Sequence, residues 1–162
     1  MKVEALMMQG VASCRAEDGA NRAATMMWDR DCGAIPVIDE KSCVVAMVTD
    51  RDLCMASSME GQALQDIPIQ RAMSKELWSC RRDDELSDAE HVMREHQVRR
   101  LPVVDSEGRL EGILTLSDLV REASKQSKSK SKKVDVSYGE VAETLSDISA
   151  PHDEVRAVVR AS

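Results

Sequence analysis

The strongest constraint on this chain is that most of it is written twice. Residues 7–53 and 73–119 superimpose with a shift of 66 and no gap, and 13 of the 47 paired positions are identical. Pro36 falls on Pro102, Asp39 on Asp105, Thr49 on Thr115, Asp52 on Asp118 and Leu53 on Leu119. Further back, Ser13-Cys14-Arg15 falls on Ser79-Cys80-Arg81, Asp18 on Asp84, Ala23 on Ala89, Met27 on Met93 and Met7 on Met73. An internal duplication outranks any local reading of the fold. A single copy of roughly 55–60 residues would bury only about 60% of its unfolded surface, which is marginal. The two copies are therefore expected to share a core.

Each copy carries the same pattern. Val11–Cys14 reads as a short apolar strand, and the following stretch to Trp28 as a helix with Ala20, Ala23, Ala24, Met27 and Trp28 at helical spacings and Asp18 as N-cap. Asp29-Arg-Asp-Cys-Gly33 breaks it. Ala34–Ile38 and Cys43–Val48 read as strands around a polar turn, followed by a helix from Asp50 to about Met59. The second copy gives strand Leu77–Cys80, helix Asp84–His96, strands Leu101–Val104 and Leu110–Leu114, and a helix from Leu116 to about Ser124. The plan is α+β: two tandem β-α-β-β-α repeats, expected at 1–62 and 63–123. Pro36 and Pro102 cannot donate a ladder hydrogen bond, which predicts edge or bulged strands. Residues 124–133 hold five Lys in ten residues and read as a Lys/Ser-rich linker. The tail, 134–162, has no counterpart in the repeat. Val141, Leu145 and Ile148 suggest one helical stripe, and Asp153–Arg160 a final short element.

Composition narrows the function. The net charge is −7 and only Trp28, Trp78 and Tyr138 are aromatic. A basic face and stacking rings are what nucleic-acid binding draws on, so no nucleic-acid partner is expected. No apolar run is long enough to span a membrane, and the N-terminus lacks a secretory pattern. Five Cys without Cys-x-x-Cys spacing fit a reducing cytoplasm, with the thiols packed as small apolar groups. The ten Met read as core. His91 and His96, five apart, do not share a helix face, and no metal site is expected.

The chemistry sits at Thr49-Asp-Arg-Asp52 and Thr115-Leu-Ser-Asp118. Taken alone, Thr-x-x-Asp is a helix cap with an acid in the first turn. Its recurrence after an apolar strand in both copies adds a second reading. A helix N-terminus presents N–H groups to phosphate, and a Thr hydroxyl there adds a donor. A carboxylate one turn in can accept both hydroxyls of a ribose. Capping and binding are compatible.

The doubled pattern resembles the tandem cystathionine-β-synthase-type (CBS) domain pair, or Bateman module. The resemblance rests on Ala34-Ile-Pro-Val-Ile-Asp39 with Met47-Val-Thr-Asp-Arg-Asp-Leu53, and on Leu101-Pro-Val-Val-Asp105 with Gly112-Ile-Leu-Thr-Leu-Ser-Asp-Leu119. It implies clefts that hold adenosine nucleotides such as AMP, ADP or ATP, with no required cofactor. Carried over by position, Asp52 and Asp118 would take ribose, and Thr49 and Thr115, with Arg51 and Ser117 beside them, would lie by the phosphates. Ser13, Cys14, Ala34, Ile35 and Pro36, and in copy two Ser79, Cys80, Arg100, Leu101 and Pro102, would line the base. Arg99 and Arg100 match basic positions of the family, and strand alternation puts at most one of them on phosphate.

Copy one has Gly33-Ala34 where copy two has Arg99-Arg100, Ala46 for Gly112 and Ser42 for Gly108, so the Thr115–Asp118 copy is favoured for a phosphorylated ligand. The leading expectation is a non-catalytic regulatory module that senses an adenosine nucleotide and self-associates as a homodimer, acting on an unidentified regulated protein. The alternative is an interaction module with empty or degenerate clefts. An enzyme is the least favoured reading, because nothing outside the repeats is long enough to be a catalytic domain.

Overall fold

A computed structural model of the chain describes residues 1–128 and 135–151. Its elements are β1 (Met8–Gln9), α1 (Ala20–Asp29), β2 (Ala34–Ile38), β3 (Val44–Thr49), α2 (Asp50–Glu60), β4 (Cys80–Arg81), α3 (Leu86–Glu95), β5 (Arg100–Val104), β6 (Leu110–Thr115), α4 (Leu116–Lys128) and α5 (Tyr138–Ile148), with single 3-10 turns at Val3–Ala5, Leu64–Asp66 and Ile69–Arg71. Mixed helix and strand content in this order is the expected α+β plan. The 66-residue shift maps α1 onto α3, β2 onto β5 and β3 onto β6 residue for residue.

The sheets repeat as well. One has four strands in the order β1-β6-β5-β4, the other pairs β2 with β3. Outside β2, Cys14 forms a single parallel bridge to Val37, just as Cys80 pairs in parallel with Val103. Outside β3, Ser74 takes the place that Met8 takes beside β6: its N–H donates to Met47 O at 2.8 Å and its Oγ accepts Met47 N–H at 3.1 Å. The expected strand Val11–Cys14 is thus reduced to one bridging residue.

The strand of Pro36 is bulged as expected, with a register shift between Val37 and Ile38, although Pro36 itself stays in register opposite Met47. Pro102 departs from expectation, because β5 is an inner strand. The sheet tolerates it because β4 is only two residues long and meets β5 at Val103 and Val104, past the proline.

Asp18 does not cap α1. The N-cap is Gly19, without a side-chain bond, while Asp18 Oδ2 accepts Arg15 N–H at 2.8 Å and Oδ1 pairs with Arg22. The chain reaches α1 through a turn that Asp18 closes one residue early. The polar turns differ from each other only in residue type. Ser42 and Gly108 both take positive φ, 65° and 83°, a conformation that strains Ser and not Gly.

The chain forms two compact units, and they cut across the repeats: Met1–Met7 with Asp83–Leu101 and Leu114–Ser162, and Met8–Arg82 with Pro102–Ile113. The lead-in segments explain this. Within the first unit, Leu86 N–H donates to Met1 O and Val3 N–H to Asp84 O. Within the second, Ala20 N–H donates to Ile67 O and Ile69 N–H to Asp18 O, the same bonds shifted by 66. Each lead-in therefore packs on the helix start of the opposite copy. The second unit holds a core of Cys14, Ala20, Ala23, Met27, Ile35, Val37, Ala46, Val48, Leu53, Ile67 and Ile69. The first buries Leu86, Ala89, Met93, Leu101, Leu114, Leu119 and Ala123.

α4 continues to Lys128, four residues past its expected end, so half of the proposed linker is helix. Residues 129–133 of that linker, and the element expected at 153–160, lie outside the described residues. α5 is the helix expected from Val141, Leu145 and Ile148, but it is rotated. Val141, Thr144 and Ile148 are buried and Leu145 is half exposed. Of the methionines, Met8, Met55 and Met59 are exposed, against the expectation that they form core.

Candidate functional site

The Thr-x-x-Asp turns have nearly identical geometry. In copy one, Asp52 Oδ2 accepts Thr49 N–H at 2.9 Å and Thr49 Oγ1–H at 2.7 Å, and Asp52 N–H donates back to Thr49 Oγ1 at 3.2 Å. In copy two the same bonds to Asp118 and Thr115 measure 2.8, 2.6 and 3.3 Å. Each is a capping box closed by the hydroxyl. A Thr hydroxyl has one proton, and here it is given to the carboxylate. Neither Thr49 nor Thr115 keeps a hydroxyl donor for phosphate in this arrangement. What each turn offers is set by the remaining groups, and these differ.

In copy one Asp52 Oδ1 has no partner among the described residues, so the carboxylate keeps one oxygen open. The helix N-terminus, in contrast, is spent. Asp50 N–H donates to Gly33 O at 3.4 Å, Arg51 N–H to Asp50 Oδ1 at 2.7 Å and Asp52 N–H to Thr49. In copy two the balance is reversed. Arg121 donates to Asp118 Oδ1, so both oxygens of this buried carboxylate are engaged. Leu116 N–H donates to Arg99 O at 3.0 Å. Ser117 N–H has no acceptor among the described residues, because Leu116 stands where copy one has Asp50. Arg99 and Arg100 form no ion pair among the described residues either.

The copy-one residues lie together in one compact unit. Ala34 is the register partner of Thr49 in the β2–β3 ladder. Cys14 N–H donates to Pro36 O at 3.1 Å and Ile38 N–H to Cys14 O at 2.9 Å, which sets Ser13 and Cys14 beside Ala34, Ile35 and Pro36. Ala34, Ile35, Pro36 and Cys14 are buried, and Arg51 is exposed. Burial, followed by the charge of Asp18, pushes the Cys14 thiol up to about 12, so it is a neutral wall and not a nucleophile. In copy two, Thr115, Ser117, Asp118, Arg99, Arg100 and Leu101 belong to one unit, and Ser79, Cys80 and Pro102 to the other. Ser79, Arg99 and Ser117 are exposed, while Cys80, Leu101 and Pro102 are buried.

Arg121 is the residue that the sequence reading missed. Its signal was present: Asp118 and Arg121 are opposite charges three apart on one helix. The repeat also flags it, since copy one has Met55 there. Cys32 and Cys54 are exposed and are not the packed thiols expected. Among the described residues, no three His, Cys, Asp or Glu groups gather as a metal site, and no helix is long and apolar enough to cross a membrane.

Residues 3–58 and 65–125 each match the CBS domain family. A CBS domain-containing protein, YhcV of Bacillus subtilis (strain 168), is 38% identical over 117 residues, covering 72% of this chain and 81% of that protein. The crystal structure of CBSX2 in complex with AMP matches with a TM-score of 0.68 and 28% identity, over 78% of this chain and 98% of CBSX2. The CBS domain pair of protein MJ0100, in complex with 5-methylthioadenosine and S-adenosyl-L-methionine, shares the fold at a TM-score of 0.71 and 19% identity, over 78% and 98% of the two chains.

Proposed function

Because this chain belongs to the CBS domain family, as a tandem pair covering both repeats, we propose that it is a non-catalytic regulatory module that binds an adenosine nucleotide of the AMP, ADP or ATP kind. The observation that carries the reading is the unspent donor set of copy two. Among the described residues, Ser117 N–H, Arg99 and Arg100 stand unpaired beside a capped Asp, with a second Asp of open geometry in copy one. Cations and free N–H groups suit phosphate, and a carboxylate oxygen suits a ribose diol. The adenosine compounds held by CBSX2 and MJ0100 support the nucleoside half of the assignment. The phosphate half favours the Thr115–Asp118 copy. There the sugar must share or displace Arg121 on Asp118 Oδ1.

A thermal-shift panel of AMP, ADP, ATP, NAD, S-adenosylmethionine and cyclic dinucleotides tests this. At a hundredfold excess over Kd a ligand adds about 2.7 kcal/mol, a shift of several degrees. Asp118→Ala abolishes the shift and Asp52→Ala leaves it. Arg121→Met, which installs the copy-one residue, tightens binding about two- to tenfold by freeing the carboxylate oxygen. A shift that survives Asp118→Ala but not Asp52→Ala moves the site to copy one, and no shift with any compound overturns the reading. The same resemblance implies a homodimer, which light scattering checks.

A further inference from the structure

Copy two carries a helix that has no counterpart in copy one. The groove between α3 and α4 is filled by α5. Val141, Thr144 and Ile148 of α5 are buried, and Val136 just before it is 1% exposed. Shifted back by 66, the same groove lies between α1 and α2, where a single turn, Leu64–Asp66, packs on α1. A cavity of about 530 Å³ remains there, lined by Met27, Trp28, Asp31, Asp50 and Leu53 among others. Copy one thus keeps the same two inner strands, helix pair and capped turn with no helix of this chain in its groove. A repeat of this plan does not need such a cover to hold its fold.

Two glutamines hold α5, one at each end. At the entry, Gln126 Oε1 accepts Asp135 N–H at 2.6 Å and Val136 N–H at 3.2 Å, while its Nε2 donates to Glu122 Oε1 at 2.9 Å. At the exit, Gln97 Nε2 donates to Asp147 O at 3.1 Å and to Ala150 O at 2.9 Å, the carbonyls at the C-terminal end of the helix. Gln97 does so from a left-handed backbone, φ 52°, which a side chain adopts only at a cost. Its counterpart Asp31 has the same backbone, φ 49°, and no amide to donate.

Between the two glutamines the contact carries unpaired polar groups. Thr144 is fully buried, and its Oγ1 has no partner among the described residues. Glu90 of α3 is 8% exposed, and none of the described residues bonds to its carboxylate. Glu140 of α5 adds a like charge, which Arg94 of α3 opposes. On α4, Glu122 is engaged by Lys125 and Gln126, and Arg121 by Asp118. A buried polar group without a partner is a cost of the closed arrangement that water relieves when the helix leaves. Once out of the groove, a helix of this length is too short to persist alone, so leaving and melting are one event. We propose that α5 is a strap: it leaves the α3–α4 groove as one unit while both repeats stay folded, and it closes on two latches, Gln97 and Gln126. Closing buries Glu90 beside Glu140, so the strap closes more firmly in acid and opens more readily as the pH rises.

Native-state hydrogen exchange of the full chain, followed residue by residue in low urea, tests this. The amides of α5 are expected to exchange through an opening that urea hardly promotes, whereas those of β5 and β6 exchange through one that urea promotes steeply. Gln97→Ala combined with Gln126→Ala lowers the protection of α5 about tenfold or more, with β5 and β6 still protected. Thr144→Val, which strengthens the closed state and so does not put folding at risk, raises α5 protection about fivefold. Between about pH 5 and pH 8, α5 protection in the unmodified chain falls as the pH rises, and Glu90→Gln removes that fall. Three results would overturn the proposal: α5 and β5 amides sharing one urea dependence, β5 and β6 losing protection together with α5 in the double variant, or a pH dependence of α5 that survives Glu90→Gln. None of these outcomes depends on nucleotide binding.

Discussion

Copy one and copy two have the same backbone plan and the same capped turn, yet opposite groups are left open. Among the described residues, copy one leaves a carboxylate oxygen free and spends its helix N–H groups on Gly33 O, Asp50 Oδ1 and Thr49 Oγ1. Copy two, among the described residues, leaves an N–H and two arginines free and spends its carboxylate on Arg121. On the helix side, copy one presents an open groove ringed by Trp28 and two aspartates, and copy two closes the equivalent groove with its own tail. A duplicated fold thus keeps its geometry while single substitutions, such as Asp50 against Leu116, Met55 against Arg121 and Asp31 against Gln97, assign different chemistry to equivalent places.

The core test of this contrast is a matched pair of truncations. Leu53 and Leu119 are equivalent and both buried. Behind Leu119 the groove is filled, so Leu119→Ala leaves a closed cavity and costs about 4 kcal/mol. Leu53 already lines open space, so Leu53→Ala falls near 2 kcal/mol, the low end for such changes. Urea denaturation measures both, and equal costs would erase the claimed difference in packing. Next in size is Gln97→Ala, which removes both donors from the α5 terminus and costs about 1–2 kcal/mol more than Asp31→Ala. Both residues sit at positive φ, so the backbone penalty of Ala cancels in the comparison.

Thr144 contributes a smaller effect of the opposite sign. It is fully buried and its Oγ1 has no partner among the described residues. Thr144→Val removes that hydroxyl at constant shape and adds about 1 kcal/mol, a rise in Tm of about 2–4 °C. The smallest effect is at Glu90. Burial, then the charge of Glu140, raises its carboxyl above the ordinary value, with Arg94 opposing. The protonated form therefore suits the folded state. That stabilisation is complete below the unfolded carboxylate pKa and is lost as pH rises through the raised folded value. Glu90→Gln mimics the protonated form, so it raises Tm near pH 7 and is neutral near pH 4, as melting curves across that range will show. A gain that is equal at both ends would mean that Glu90 is not strained by α5.

How far the sequence alone reaches follows from how local each cause is. The 66-residue shift, read without structure, carried the α+β plan, the family and both Thr-x-x-Asp turns, because strand alternation, caps and turns are set by residues within a few positions of one another. The Asp118–Arg121 pair is of this kind too and was open to the same reading. Asp18 shows the limit even at short range: it is a good N-cap type, yet the turn it closes with Arg15 put Gly19 at the cap. Pro102 on an inner strand needed knowledge that β4 is only two residues long. Other features could not be read from the chain at all. The exchange of lead-ins joins Met1 to Leu86 and Ile67 to Ala20, and no periodicity marks which copy a segment will pack against. The tail stripe named Leu145 where Thr144 is buried, because the face a helix buries is chosen by the groove that receives it. The open groove over Trp28 is likewise a tertiary fact: the sequence shows an apolar helix in both copies, and only packing decides that α5 covers one of them.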